Sequence, residues 1–223
     1  EMAAVANATG LTPAPGGLTF PACPVEKIAS TLIPESEGGK LHHKGQVEVI
    51  SSRGRNGIDL ENDLRWGVYV TFEAPSEYVE RCFADYGLTT DASGKYSALW
   101  RPYHLIGLEL GISVATVALL GMPTGVPTGF RADVVACAKR DLAEGEILDG
   151  EGGYTVWGRL MVAGDSLILG AVPIGLAQGS ALKNPIKEGA IIQWSDLKIQ
   201  DVEDSLAFAV RREMEAAFGF QPE

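Results

Sequence analysis

Cysteine is scarce and odd in number. Cys23, Cys82 and Cys137 lie far apart among apolar neighbours, which argues against a disulfide framework or a paired-cysteine zinc site and fits reduced, buried thiols. Positive charge is also in short supply: 18 Lys and Arg face 29 Asp and Glu, a formal net charge of −11. A surface that wraps nucleic acid needs clustered cations, so no nucleic-acid partner is expected, although a local basic pocket remains compatible with an acidic whole. No long apolar run is present. The longest, Leu105 to Leu120, is interrupted by Glu109 and is too short to span a bilayer comfortably. Without a basic-then-apolar leader either, the chain reads as soluble and cytoplasmic, with no membrane partner. Also absent are a Gly-x-Gly-x-x-Gly after a strand, a Walker loop and a nucleophile elbow, so this chain alone is not expected to hold a dinucleotide.

What is present first is a repeat. Lys139 to Leu148 (KRDLAEGEIL) and Lys183 to Ile192 (KNPIKEGAII) share Lys, two free positions, Leu or Ile, one free position, Glu-Gly, one free position, Ile and an aliphatic residue. Two copies are too few for a solenoid. The pattern predicts two pseudo-symmetric β-elements folded against each other, each breaking at its Glu-Gly turn; the bland alternative is chance similarity between two surface turns.

The rest of the chain suggests an α+β architecture: a strand pair plus helix, followed by an all-β module. Glu1 to Gly10 reads as the last turns of a helix closed by Gly10 and already begun upstream, as in a fragment of a longer polypeptide. Pro and Gly from Leu11 to Gly39 suggest an extended connector with little catalytic role. Gln46 to Ser51 and Leu64 to Phe72 read as two strands joined through Arg55-Asn-Gly-Ile58. In the second, Leu64, Trp66, Val68, Val70 and Phe72 are expected to face the core. Ser76 is a plausible N-cap for a helix closed by Gly87. Asp91 to Gly94 is a turn, and Pro102 is placed to open a long helix to Leu120, apolar nearly all round and therefore buried, either in the domain or in a subunit contact. Gly121 to Gly129 reads as a linker. Ala132 to Ile199 reads as short strands and Gly turns without a helix, and Ser205 to Phe218 as a helix with Leu206, Val210, Met214 and Ala217 on one face. The expected domains are a central substrate and dimerisation region over 1–130, a β-module over 131–200 and a C-terminal helix over 201–223.

Chemistry is best placed at Trp100-Arg-Pro-Tyr-His104. A helix starting at Pro102 would present free N–H groups and a partial positive charge there, favouring phosphate or carboxylate. Arg101 adds a planar fork, Tyr103 and His104 lie beside it, and Lys95 could close the pocket. The alternative is that Pro102 merely starts the helix, Tyr103 packs and His104 is a satisfied imidazole. Glu109, Ser113 and Thr116 form a polar stripe on the apolar helix, with a structural ion pair the favoured role for Glu109. His42-His43-Lys44 reads as a surface loop rather than a metal site, and Gly150-Glu-Gly-Gly153 as a tight turn rather than a phosphate loop.

The Glu-Gly repeat, Phe130-Arg-Ala-Asp-Val-Val135 and Gly152-Gly-Tyr-Thr-Val-Trp-Gly158 together resemble the SAF domain, a β-clip fold. Asp63-Leu-Arg-Trp-Gly-Val-Tyr-Val70 and Tyr103-His-Leu-Ile-Gly-Leu-Glu-Leu-Gly-Ile112 resemble the central region of bacterial NAD(P)-dependent oxidoreductases related to homoserine dehydrogenase that end in an SAF domain. The resemblance implies a Rossmann domain ahead of this region, supplying NADPH or NADH. In its 1-deoxy-D-xylulose 5-phosphate reductoisomerase-like branch it also implies a divalent metal and a place in isoprenoid biosynthesis. On that footing Arg101 and Lys95 would hold a small phosphorylated or anionic substrate, His104 and Tyr103 would act on its oxygens, and the chain would form a homo-oligomer. The competing expectation is a non-catalytic SAF-type module for carbohydrate binding, partner binding or assembly, with Tyr154, Trp157 and Trp194 as its platform.

Overall fold

The computed structural model describes residues 1–198 and 204–218. It is a mixed α+β structure whose sheets are small, two-stranded and antiparallel. The described chain divides into two compact units. One comprises Leu18–Val126, and the other joins Glu1–Gly17 to the chain from Pro127 onward. The second boundary falls inside the linker read from the sequence. The first 17 residues, however, group with the C-terminal unit rather than with the region that follows them.

In the Leu18–Val126 unit, the Pro- and Gly-rich segment is more than a wrapping connector. It contains a 3₁₀ turn at Val25–Lys27 running into the short helix Ile28–Thr31, which we call α2, α1 being Met2–Thr9. Cys23, Ile28, Ala29 and Leu32 form a buried cluster with Leu41, Leu64 and Ala98. Apolar residues at Ile28, Ala29, Leu32 and Ile33 give this stretch the helical spacing that its prolines mask. Strand β1 (Val68–Glu73) pairs with β2 (Tyr96–Arg101), Val68 opposite Arg101 and Glu73 opposite Tyr96. Gln46 to Ser51 is therefore not its partner; that segment makes only a parallel bridge, Ser51 to Ala22.

Of the residues expected on the core face, Leu64 is buried and Phe72 packs edge-on against Phe83, but the middle of that face is reversed. Trp66, Val68 and Val70 are exposed, whereas Tyr69 packs on the buried cluster and its hydroxyl donates to the Glu48 carbonyl at 2.7 Å. Helix α3 (Glu77–Asp85) starts as read, with the Ser76 hydroxyl accepting from the Val79 N–H. The helix expected from Pro102 begins only at Leu110: α4 is Leu110–Leu120, with no buried residue. Tyr103 instead makes a parallel bridge with Trp66, so Pro102 and Tyr103 continue the extended chain.

In the other unit, α1 is closed by Gly10 in the left-handed conformation (φ 83°), its N–H reaching the Ala6 carbonyl. The Asn7 amide fastens α1 to strand β3 (Ala132–Ala138) by accepting from the N–H groups of Arg131 and Ala132 and donating to the Ala132 carbonyl. β3 pairs antiparallel with β4 (Val156–Val162). Helix α5 (Ala163–Leu169) follows directly, so the segment expected to be all-β contains a helix; Gly170 stops it at φ 64°. Two-residue strands β5 (Ala181–Leu182) and β6 (Leu197–Lys198) complete the sheets.

The repeat is visible in the hydrogen bonding. Leu142 and Ile186, equivalent in the two copies, exchange both backbone bonds (2.8 and 3.0 Å). The turn glycines act reciprocally: the Gly145 N–H reaches the Leu182 carbonyl just before the second copy, and the Gly189 N–H reaches the Ala138 carbonyl just before the first. The bridges of Ile147 with Ala181 and of Ile191 with Cys137 obey the same exchange. Both glycines are left-handed (φ 78° and 77°), a conformation that a Cβ would strain. Leu142, Leu148, Leu182 and Ile192 are buried together between the copies.

Helix α6 (Leu206–Phe218) forms where the periodicity places it, but turns a different face inward. Leu206 and Val210 are exposed, while Arg211 meets Asp133 through two hydrogen bonds (2.6 and 3.1 Å) and Phe208 meets Trp194 edge-on. Residues 199 and 200, at the end of the expected β-module, and both ends of the expected C-terminal segment lie outside the described residues.

Candidate active site

Strand β2 ends at Arg101, and the next eight residues run from that strand end to the cap of α4. Gly107, left-handed at φ 83°, lets the chain turn within Ile106–Glu109, where a β-carbon would be strained. The turn brings the Glu109 carboxylate back onto the residues before it. Its Oε2 lies 2.9 Å from His104 Nδ1 and accepts from the Leu105 N–H at 3.2 Å. Its Oε1 forms an ion pair with the Arg101 guanidinium. Arg101 also lies over the Tyr103 ring, 4.8 Å from its centre.

Glu109 is the hub of this cluster. Desolvation raises its carboxyl, but the His104 hydrogen bond, the Leu105 N–H and the Arg101 charge together outweigh it and hold the group below its ordinary value. An ionised carboxylate on Nδ1 fixes that nitrogen as the proton-bearing one in the neutral ring. Nε2 is then the acceptor, able to take a proton from a hydroxyl and return it. Half of the His104 and Arg101 side-chain surface is open to solvent, against 21% for Glu109. The cluster therefore pairs an accessible acid–base group and an accessible cation with a shielded carboxylate that orients both.

Of the residues singled out from the sequence, Arg101, Tyr103 and His104 are brought together, and Lys95 is not. Lys95 precedes β2, with the length of the strand between it and Arg101, on the order of 20 Å for six extended residues. Its ammonium lies 2.8 Å from Glu73 and 3.9 Å from Glu37, and the Glu73 hydrogen bond raises its pKa. Lys44 joins Glu73 from the other side at 2.6 Å. The anion pocket expected at a helix N-terminus is also built differently. α4 starts beyond the cluster with Glu109 itself at its cap position, so the positive potential comes from Arg101 alone, and Glu109 draws on part of it.

The sequence places Glu109 in a polar stripe with Ser113 and Thr116, but its partners lie before the helix. The signal for its role is its spacing from His104 across a Gly-containing segment. Ser113 bonds the Thr124 hydroxyl at 2.9 Å and Thr116 bonds the Ile112 carbonyl at 2.7 Å, so neither joins the cluster. His42 and His43 meet through their Nδ1 atoms at 3.2 Å. Among the described residues no group of three or more His, Cys, Asp or Glu side chains is placed to hold a metal ion, and no helix is long and apolar enough to cross a membrane. Gly150 to Gly153 is a turn organised by Asp149. Of the aromatic platform, Tyr154 is 85% exposed, but Trp194 is covered by Phe208 and by the Arg212 guanidinium, 4.6 Å above its ring.

No curated protein matches the chain. Residues 1–110 match the family described as Oxidoreductase DRL, catalytic domain, and this stretch, which contains Arg101, Tyr103, His104 and Glu109, supports an oxidoreductase family for the chain.

Proposed function

We propose that this chain is the C-terminal portion of an NAD(P)H-dependent oxidoreductase and supplies the substrate side of its active site, with His104 as the proton-transfer group. The observation that carries the reading is the His104–Glu109 dyad flanked by Arg101, inside the stretch that matches an oxidoreductase catalytic domain. The nicotinamide would be presented by a Rossmann domain outside this chain. Arg101 would hold an anionic group of the substrate, Tyr103 would support the guanidinium by stacking, and His104 Nε2 would exchange a proton with the substrate oxygen. The substrate class proposed is a sugar phosphate of the 1-deoxy-D-xylulose 5-phosphate type, reduced by hydride from NADPH, with any divalent metal held by residues outside this chain.

Oligomerisation belongs to the same reading. The apolar side chains from Leu105 to Met122 are 43–81% exposed, and Trp66, Val68, Val70 and Leu99 add an open apolar sheet face. Exposed apolar side chains grouped in this way mark a face that a partner covers. A second copy is the occupant proposed. The SAF-type reading of the repeat-bearing unit is kept as its assembly module.

The test is NADPH oxidation with 1-deoxy-D-xylulose 5-phosphate by the enzyme carrying its dinucleotide domain. His104→Asn is expected to lower kcat by about 10²–10⁴-fold, the usual worth of general acid–base catalysis. Arg101→Ala is expected to cost about 1.5–3 kcal/mol in kcat/KM. Unchanged kcat/KM in both variants would remove the cluster from the reaction.

A further inference from the structure

The Leu18–Val126 unit contains a second cationic feature, separate from Arg101. A cavity of about 580 Å³ is bordered by Thr19, Phe20 and Thr31 and by Lys40, Arg53 and Arg55. Three cations and no carboxylate line it, in a chain whose net charge is −11. Arg53 is held by Asp59, its Nε donating at 2.8 Å, which leaves its terminal nitrogens for another acceptor. Lys40 and Arg55 have no side-chain hydrogen bond or ion pair with any described residue. Lys40 and Arg55, without counter-ions of their own beside Arg53, repel one another, and an anionic ligand relieves that repulsion.

The wall opposite in chemistry is Phe20. It has the left-handed φ of 51°, costly for a bulky side chain, and its ring is 54% exposed. The strain is maintained by a buried carboxylate: Glu48, 6% exposed, accepts from the N–H groups of Thr19 and Phe20, from the Thr19 hydroxyl and from the Gln46 amide. A buried acid thus maintains a strained backbone whose result is an aromatic ring at the edge of a cationic cavity. The other wall is fixed by the Ala22–Ser51 bridge and by Ser51, whose hydroxyl accepts from the Arg53 N–H and donates to the Arg53 carbonyl.

We propose that this cavity binds a phosphate ester carried on a planar ring, a nucleotide being the simplest case, with the cations on the phosphate and Phe20 against the ring. Guanidinium forks fit phosphate oxygens, and an exposed aromatic face stacks on a base of any sequence. The site shares no residue with the Arg101 cluster and does not rest on the oxidoreductase reading.

The test is calorimetric titration of the chain with AMP, adenosine and ribose 5-phosphate. AMP should bind saturably and more tightly than either fragment. Lys40→Gln and Arg55→Gln, exposed positions without partners whose replacement preserves the fold, should each weaken AMP by about tenfold, or 1.4 kcal/mol. Phe20→Ala should weaken AMP while leaving ribose 5-phosphate unchanged, and Arg101→Ala should alter neither. The proposal is overturned if AMP does not bind at millimolar concentration, if it binds no tighter than ribose 5-phosphate, or if the combined Lys40→Gln/Arg55→Gln variant binds it as the parent does.

Discussion

Asp149 accepts hydrogen bonds from the N–H groups of Tyr154 and Thr155 and from the Thr155 hydroxyl. The Thr155 hydroxyl, followed by the Tyr154 N–H, lowers its pKa to about 2, below the ordinary carboxylate value of about 3.9. A depressed carboxylate contributes stability that is fully present above its unfolded pKa and is lost as pH falls through its folded one. Thermal stability should therefore fall as the pH drops from about 4 to about 2, and Asp149→Ala should flatten the stability curve in that window; superimposable curves would contradict this role. Gly153 has its own reason. A β-carbon there would lie 2.1 Å from the Asp149 carboxyl carbon, so Gly153→Ala displaces the acceptor that orders the turn. The sequence shows the turn through its glycines, but the identity of the acceptor depends on a fold-back that composition does not encode.

Element-scale packing explains which readings transferred. Helix α3 and the closure of α1 follow from local rules, a Ser cap and a left-handed Gly, and both are found. At Trp66, Val68 and Val70 the expected face did not transfer, because alternation gives two faces without saying which one receives the α2 segment. The face of α6 failed for a related reason: its inner side is made by Arg211, buried against Asp133 and Glu215, and by Arg212, whose guanidinium lies over Trp194, and an apolar count overlooks them. Arg211 and Asp133 are 11% and 7% exposed in their side chains. Removing one partner strands the other charge, so Arg211→Ala should destabilise the unit by about 3 kcal/mol, whereas Arg212→Ala, at a more open pair, should cost under about 1 kcal/mol. Equal losses in chemical denaturation would show that the buried pair is not what holds α6. At the centre of the repeat, Leu142→Ala should cost about 3 kcal/mol, and Ile186→Ala, its equivalent, should weaken the same cooperative transition.

At the scale of the whole molecule, the repeat was readable because equivalent residues pair with each other, and a symmetric contact leaves a symmetric sequence trace. The Arg101, Tyr103 and His104 cluster was readable as a run of neighbours, while Glu109 and the separation of Lys95 required the turn at Gly107 and the register of β2. Helix α4 reads from the sequence as buried in the domain or in a subunit contact, and in the single chain none of its residues is buried. If a second copy covers it, light scattering should give a dimer, and Leu110→Lys with Val117→Lys should yield a folded monomer; a monomeric parent would leave α4 without that partner. The central claim is that Glu109 orients His104 for proton transfer in an NAD(P)H-dependent reduction. It is tested most directly by the pH profile of kcat/KM for NADPH oxidation in the parent and in Glu109→Gln. The account predicts a lower plateau in the variant, with the substrate KM nearly constant. Coincident profiles, or a change in KM alone, would contradict it.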